Sequence, residues 1–470
     1  MKMLIGGEWV SREDTIDVRN PFDGSVVDTV PRGTAEDVRA AVAGAVSGYK
    51  TNRDLPAHRR ISILMRAAEI MQSRHEELAE TIATEGSKTI TEARKEVGRA
   101  INTITISAEE ARRITGETLP FDSAEGSENR VGYYFRFPIG VIAAITPFND
   151  PLNLVAHKVG PAIAGGNSVV VKPATVTPLS ALKLAEILLE AGLPPEVISV
   201  VTGPGGEVGE ALVTDERVRM VSFTGGVEAG KRIAALAGLK KMGMELGGNA
   251  PVLVAEDCDL AEAVESCVSG AFWAVGQNCI GVQRIFAQDS VYDAFRDAFV
   301  ARTRQYRTGF QMDERTDMGP MITESEAARV IAWVEEAVAE GATLLTGGTR
   351  EGTLVQPTVL EGVRDSAKLA CSEVFGPVVS LFRYAELDDA LERANAVDVG
   401  LHGAIFTKDL AKAFHAIRHL DVGGIMVNDS SDYRVDLMPF GGVKNSGLGR
   451  EGIRFALQEM TEPKVVCFNL

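Results

Sequence analysis

From residue 140 to residue 245 the chain alternates continuous apolar runs with helical segments, and this rhythm leaves few folds open. "GVIAAIT" (140–146), "SVVV" (168–171), "VISVVTG" (197–203) and "VRMVSFTGG" (218–226) each read as a strand covered on both faces. Thr177-Pro178 and Gly192 read as the start and stop of a helix between two of these runs, with the Thr177 hydroxyl as N-cap. Another helix is expected from about residue 227. Strand and helix in alternation predict a parallel sheet with helices on both faces. A second alternating series starts at "PVLVA" (251–255) and runs past 425, so a second α/β unit is expected, with the boundary in "ELGGNAP" (245–251). Ahead of both, residues 55–115 carry apolar residues at helical spacing.

Glycines interrupt the first series where a strand hands over to a helix. "TGPGGEVG" sets Gly203, Gly205 and Gly209 in such a turn, one residue longer than the usual dinucleotide fingerprint. "GGVEAGKR" (225–232) approaches a phosphate loop, but Arg232 stands where the magnesium-binding hydroxyl belongs, which argues against an ATPase. A strand passing through "FTGG" into a helix still offers free backbone N–H groups to a pyrophosphate. One lone thiol, Cys279 in "GQNCIGVQR", reads either as a small buried hydrophobe or as a nucleophile. Together these features point to an oxidoreductase.

Charge and cysteine usage narrow the partners. A net charge of −17 disfavours nucleic acid and anionic membranes. The five cysteines form neither a CxxC pair nor a zinc spacing, so no metal is expected and a reduced, cytoplasmic chain fits. "MKMLIGGEWVSRED" lacks the apolar segment of a signal peptide, and no run approaches the length of a membrane span. No GxSxG and no HExxH is present, against a serine hydrolase or a zinc protease.

Seven stretches, in this order, resemble the aldehyde dehydrogenase superfamily: "ITPFNDPL" (145–152), "GPAIAGGNSVVVKPA" (160–174), "FTGG" (223–226), "MELGGNAP" (244–251), "GQNC" (276–279), "EVFGPV" (373–378) and "PFGGVKNSGLGREG" (439–452). "NDPLNLVAHK" and "GREGIRFALQEMTE" are most similar to the group acting on lactaldehyde, phosphonoacetaldehyde and glyceraldehyde phosphate. The resemblance implies a Rossmann-like dinucleotide-binding domain (1–125 and 138–246), an α/β catalytic domain (247–438) and a small β oligomerisation arm (126–137 and 455–470). The arm would build a homodimer or homotetramer by strand addition; an intramolecular edge strand is the alternative.

It also implies roles. Cys279 would attack the aldehyde, Asn149 would donate to the oxyanion (or serve as a turn residue), and Glu245 would be the general base that hydrolyses the thioester. Its presence favours water over coenzyme A as acyl acceptor. Lys172 would hold the adenosine ribose and Glu373 and Phe375 the nicotinamide end, with Thr146, Pro147, Gly205, Gly209, Phe223 and Gly225 along the cofactor. Thr175 stands where many NAD-specific members carry glutamate, so NAD(P) is expected, with NADP accepted and even preferred. Lys444 is expected to be structural. Members acting on phosphorylated aldehydes often place arginine before the nucleophile; Asn278 stands there, leaving Arg434 and Arg99 as anion contacts. The expected reaction is oxidation of a short hydroxylated or anionic aldehyde to its acid. A succinate-semialdehyde-like substrate and a catalytically silent binding paralogue are the alternatives.

Overall fold

The computed structural model describes residues 1–470. The apolar runs of the first series pair in parallel: Val141–Ile145 lies between Ser168–Lys172 and Val218–Thr224, and these are flanked by Ile198–Val200 and Lys241–Glu245. The first strand is therefore central, and the chain winds outward from it in both directions. Helices Asn153–Ala164 and Leu179–Glu190 cross one half of the sheet, and Val227–Ala237 crosses the other. A sheet of this kind opens a crevice at the carboxyl ends of the strands where the winding reverses. Here those ends are Ile145-Thr146 and Thr224-Gly225.

Two antiparallel strands, Met3–Ile5 and Glu8–Val10, extend one edge, and Gly447–Leu448 closes the other against Lys241–Glu245. The last strand of this sheet ends at Glu245 and the next begins at Ala250, which opens a second, seven-stranded sheet. Its order is Thr343–Thr346, Thr358–Glu361, Val378–Tyr384, Val282–Gln288, Ala250–Val254, His402–Phe406 and Gly424–Val427, parallel except at the first pair. Two separate 46-residue apolar clusters underlie the two sheets.

Three details differ from the sequence expectation. The helical stretch before residue 115 is three helices, Ala57–Ser73, His75–Glu85 and Ile90–Glu110. The Thr177 hydroxyl caps nothing and has no partner. The buried Glu85 carboxylate caps that helix instead, accepting from the backbone N–H groups of Leu179 (2.7 Å) and Ser180 (2.8 Å). A carboxylate suits a helix N-terminus better than a hydroxyl because it also meets the helix dipole. Finally, the stretch 455–470 assigned to the arm opens within a helix, Ile453–Glu459, with Ile453, Ala456 and Leu457 buried, before its strand begins at Thr461. Thr461–Asn469 pairs antiparallel along Arg130–Pro138, and Glu117–Leu119 joins as a third strand. No helix is long and apolar enough to cross a membrane.

Candidate active site

Cys279 sits where two cavities meet. A groove of about 810 Å³ runs along the carboxyl ends of the first sheet, and a chamber of about 340 Å³ lies on the other side of the sulfur. Five residues line both: Asn149, Leu154, Thr224, Glu245 and Cys279. The turn that presents Cys279 is tightly drawn. Ala274, Val275 and Gly276 all take left-handed backbone conformations (φ 49°, 62° and 66°) after the helix Leu260–Phe272. Gly276 has no alternative, since a Cβ there would meet the Gly376 carbonyl at 2.3 Å. Two anchors hold this backbone. The Ala274 N–H donates to the buried Glu92 carboxyl (2.9 Å), and the Gln277 side chain accepts from the Ile322 N–H (3.0 Å).

The residues expected around the cofactor converge on the groove. Thr146, Pro147, Lys172, Gly205, Gly209, Phe223, Gly225, Glu373 and Phe375 all line it. The Phe223 ring fills the space over Gly225, where a Cβ would meet it at 2.6 Å. The helix Val227–Ala237 starts at Gly226 without a side-chain cap, so its first N–H groups lie free beside the groove. Lys172 is buried and spends one donor on the Pro173 carbonyl (2.8 Å). Burial brings its ammonium down to about 8. Glu373 accepts from the Gly248 N–H (2.9 Å), yet burial still lifts its carboxyl to about 7. Phe375, also left-handed (φ 49°), stands edge-on to Phe148 at 5.7 Å.

Thr175 is the exception. Its hydroxyl donates to the Gly203 carbonyl (3.1 Å), and the groove wall passes from Lys172 to Ala174 without it. The hydrogen bond expected from Thr175 is therefore spent on the protein's own backbone. Arg232, paired with Glu210 at 2.6 Å, supplies a cation to the groove that the sequence reading had left aside. Lys444 donates to the carbonyls of Asn395 and Val397, a structural role.

A sequence profile of the aldehyde dehydrogenase family matches residues 9–466. The chain belongs to that family. Aspartate-semialdehyde dehydrogenase 1 of Pseudomonas canavaninivorans is 52% identical, with 97% of each chain covered. The 3-sulfolactaldehyde dehydrogenase of Priestia aryabhattai is 47% identical over 100% of this chain and 98% of that one. A lactaldehyde dehydrogenase of Methanococcus aeolicus is 38% identical over 99% and 100%. Among solved structures, glyceraldehyde-3-phosphate dehydrogenase of Methanocaldococcus jannaschii complexed with NADP superposes with a TM-score of 0.94 at 40% identity, covering 98% of this chain and 100% of that one. As a family member the protein is an NAD(P)-dependent aldehyde dehydrogenase.

In this aldehyde dehydrogenase the two groups at the junction are both held protonated. Burial first, then the Glu373 carboxyl, pushes the Cys279 thiol up to about 12. Burial and the nearby Glu451 carboxylate raise Glu245 well above the ordinary range, and its Oε2 has no partner. Behind Glu245, Lys158 donates to Glu451 (2.8 Å) and Ser222 (3.2 Å), and Arg434 reaches the other Glu451 oxygen at 3.2 Å. These cations hold Glu451 ionised against its burial.

Arg434 and Arg99 both line the chamber. The Arg434 guanidinium lies 3.7 Å from the Phe440 ring centroid, and Arg99 pairs with Asp436 (3.1 Å) and Asp150 (3.5 Å). Asp436 in turn accepts from His157 (3.0 Å), a buried imidazole kept neutral by burial and by Arg434. Nε of each arginine is buried without a partner. Lys158, His157, Glu451 and Asp436 were missed from sequence. The signal was present for the first two, since the helix Asn153–Ala164 that carries them is buried along its whole length and charged residues are rare in such helices.

Proposed function

We propose that the protein oxidises a short aldehyde bearing an acidic group to its carboxylic acid, with NAD(P) in the groove and the aldehyde in the chamber. One observation carries the anionic part of this reading. Two arginines from separate elements line one small chamber, and the Nη1 group of Arg434 takes no partner within the protein. A guanidinium donor without a partner at a chamber wall suits a carboxylate, sulfonate or phosphonate oxygen. Relatives named for aspartate semialdehyde and 3-sulfolactaldehyde support it.

The groove fits a dinucleotide. Lys172 has N–H groups to spare for ribose hydroxyls, the uncapped helix start at Gly226 suits a pyrophosphate, and Glu373 has an oxygen free beyond its bond to Gly248. Arg232 would meet a 2′-phosphate and Glu210 a 2′-hydroxyl, so both NADP and NAD are accepted. When bound, the cofactor supplies a hydride acceptor and a positive charge beside Cys279.

Cys279 gives its thiol proton to Glu245, once that carboxyl is ionised, and bonds through sulfur to the aldehyde carbon, and Asn149 with the Cys279 N–H would meet the oxyanion of that thiohemiacetal. Oxidation leaves a thioester on the same sulfur. Glu245, once ionised, takes a proton from water, which adds to the acyl carbon and releases the acid and the free thiol. Lys158 and Glu451 lie behind it to exchange that proton onward. The aromatic, partly exposed ribbon of Arg130–Pro138 and Thr461–Asn469 supports a homo-oligomer built by strand addition.

Steady-state oxidation of succinic semialdehyde and butanal tests the substrate class. The ratio of their kcat/KM values should favour the acid, and Arg434→Ala should reduce that ratio roughly 10- to 150-fold, the worth of about 1.5–3 kcal/mol in a charged hydrogen bond. A second reading has its own observation: Arg434 and Arg99 are already neutralised by Glu451, Asp150 and Asp436. A wild type that prefers lactaldehyde to any acidic aldehyde would establish that neutral reading instead.

A further inference from the structure

The chamber holds two carboxylates for which an anionic aldehyde has no use. Asp429 and Asp432 both line it. Every other ionised carboxylate on its walls is paired with a base: Asp150 with Lys88 and Arg99, Glu451 with Lys158 and Arg434. Asp429 and Asp432 have no basic partner. Asp429 accepts only from the Ser430 N–H (2.8 Å), and Asp432 only from the Ser430 hydroxyl. Burial and the neighbouring Asp429 raise the Asp432 carboxyl, against the pull of that hydroxyl.

The charges occupy different walls. Asp432 rests against Gly270, where a Cβ would stand 2.7 Å from its Oδ1, beside Ser266 and Ser269 on the helix Leu260–Phe272. Arg434 lies on Phe440 and Glu451, and Arg99 projects from the helix Ile90–Glu110. Arg434, with its side chain only 7% exposed, leaves its Nη1 group without a partner. One wall thus offers two guanidinium groups and the other unpaired anionic acceptors. Two carboxylates with two serines are a poor metal site, and no cluster of three acidic, histidine or cysteine ligands occurs in the chain. An ammonium group, by contrast, needs only two or three oxygen acceptors and one negative charge.

We propose that the chamber selects a zwitterion: an α-amino acid with the aldehyde at the end of its side chain, its acid group toward Arg434 and Arg99 and its ammonium toward Asp432 and Asp429. This deepens the anionic-aldehyde reading and rests on it. The aldehyde carbon then points to Cys279 between the two walls, so the two charges fix both the position and the handedness of the substrate.

Aspartate 4-semialdehyde and succinic semialdehyde share a carbon skeleton and an acid group and differ by the ammonium. Their kcat/KM ratio isolates the new contact. Wild type should favour the amino compound by roughly tenfold or more, and Asp432→Asn should collapse the ratio toward one. Asp429→Asn should shift it in the same direction and gives a second route should the first variant fail to fold, which melting temperature and cofactor binding would reveal. A wild type indifferent to the ammonium, or variants that leave the ratio intact, overturn the proposal. Succinic semialdehyde oxidised no better than butanal overturns the anionic-aldehyde reading beneath it. An acid favoured over butanal but not improved by the ammonium overturns the zwitterion alone.

Discussion

The groove and the chamber meet at one sulfur but are made of different material. The groove presents strand ends, glycines and the bare start of a helix, with charged side chains such as Lys172, Arg232 and Glu373 set singly among them. The chamber is walled by charged side chains gathered from the helix Ile90–Glu110, the segment before Asn153–Ala164 and the loop 429–434. Backbone surfaces recognise what all dinucleotides share, and they tolerate side-chain change elsewhere. Side-chain surfaces discriminate, because each buried charge must be answered by a partner of opposite sign. The division assigns cofactor binding to the fold itself and substrate choice to a few replaceable residues.

The largest test of that division removes the residue both cavities share. Cys279→Ser should lose turnover by roughly 10⁴-fold or more while the groove still binds NADPH, read by its fluorescence. Retained turnover would show that the junction lies elsewhere. Glu245→Gln should come next, slowing steady turnover by roughly 10²–10⁴-fold while a single burst of reduced cofactor survives. In wild type, turnover should climb as pH rises from neutral to alkaline, since Cys279 and Glu245 are both held protonated; an acidic optimum would contradict that. Lys172→Ala tests the groove alone. It should weaken cofactor binding by about tenfold, the worth of a hydrogen bond or two, and change the KM for aldehyde far less.

The smallest effect is one of stability. Glu245 is raised in the folded state, so above its unfolded value near pH 4.5 the unfolded chain ionises first and stability falls until the folded carboxyl also ionises. Glu245→Gln lacks that loss. Its melting temperature should gain on wild type by about 1–2 °C for each pH unit above 4.5, from about 1.4 kcal/mol per unit. Parallel melting curves across that range would mean that Glu245 is ionised in the fold.

The two cavities also differ in how far they can be read without a structure. The four apolar strands and both glycine turns follow from local pattern, because a buried strand or a strand-to-helix turn imposes its own residue types on a short window; the strand Lys241–Glu245 does not, and Lys172 and Glu245 stand out only through the family resemblance. The engagement of the Thr175 hydroxyl has no local trace, because its partner, the Gly203 carbonyl, lies 28 residues away on another strand end. Glu85 as the cap of a helix 94 residues downstream has no local trace at all. The chamber is harder still: Arg99 and Asp436 are 337 residues apart, and only the packing of the helices brings them together. Arg434 and Arg99 are legible as single cations in a loop and a helix, while their carboxylate partners, which set their availability, lie too far off in sequence to leave a local trace.

The five residues common to both cavities bear on the order of events. Asn149, Leu154, Thr224, Glu245 and Cys279 are the residues that line both the groove and the chamber. With the cofactor in the groove and the aldehyde in the chamber, as proposed, neither ligand would have to pass through the other's cavity to reach the sulfur, and reduced cofactor would be free to depart while the acyl group is still bound. The acid, in turn, can leave through the chamber with the groove already refilled. One molecule long enough to thread the junction would occupy both routes at once, so an inhibitor joining a nicotinamide mimic to an acidic tail would compete with either ligand alone.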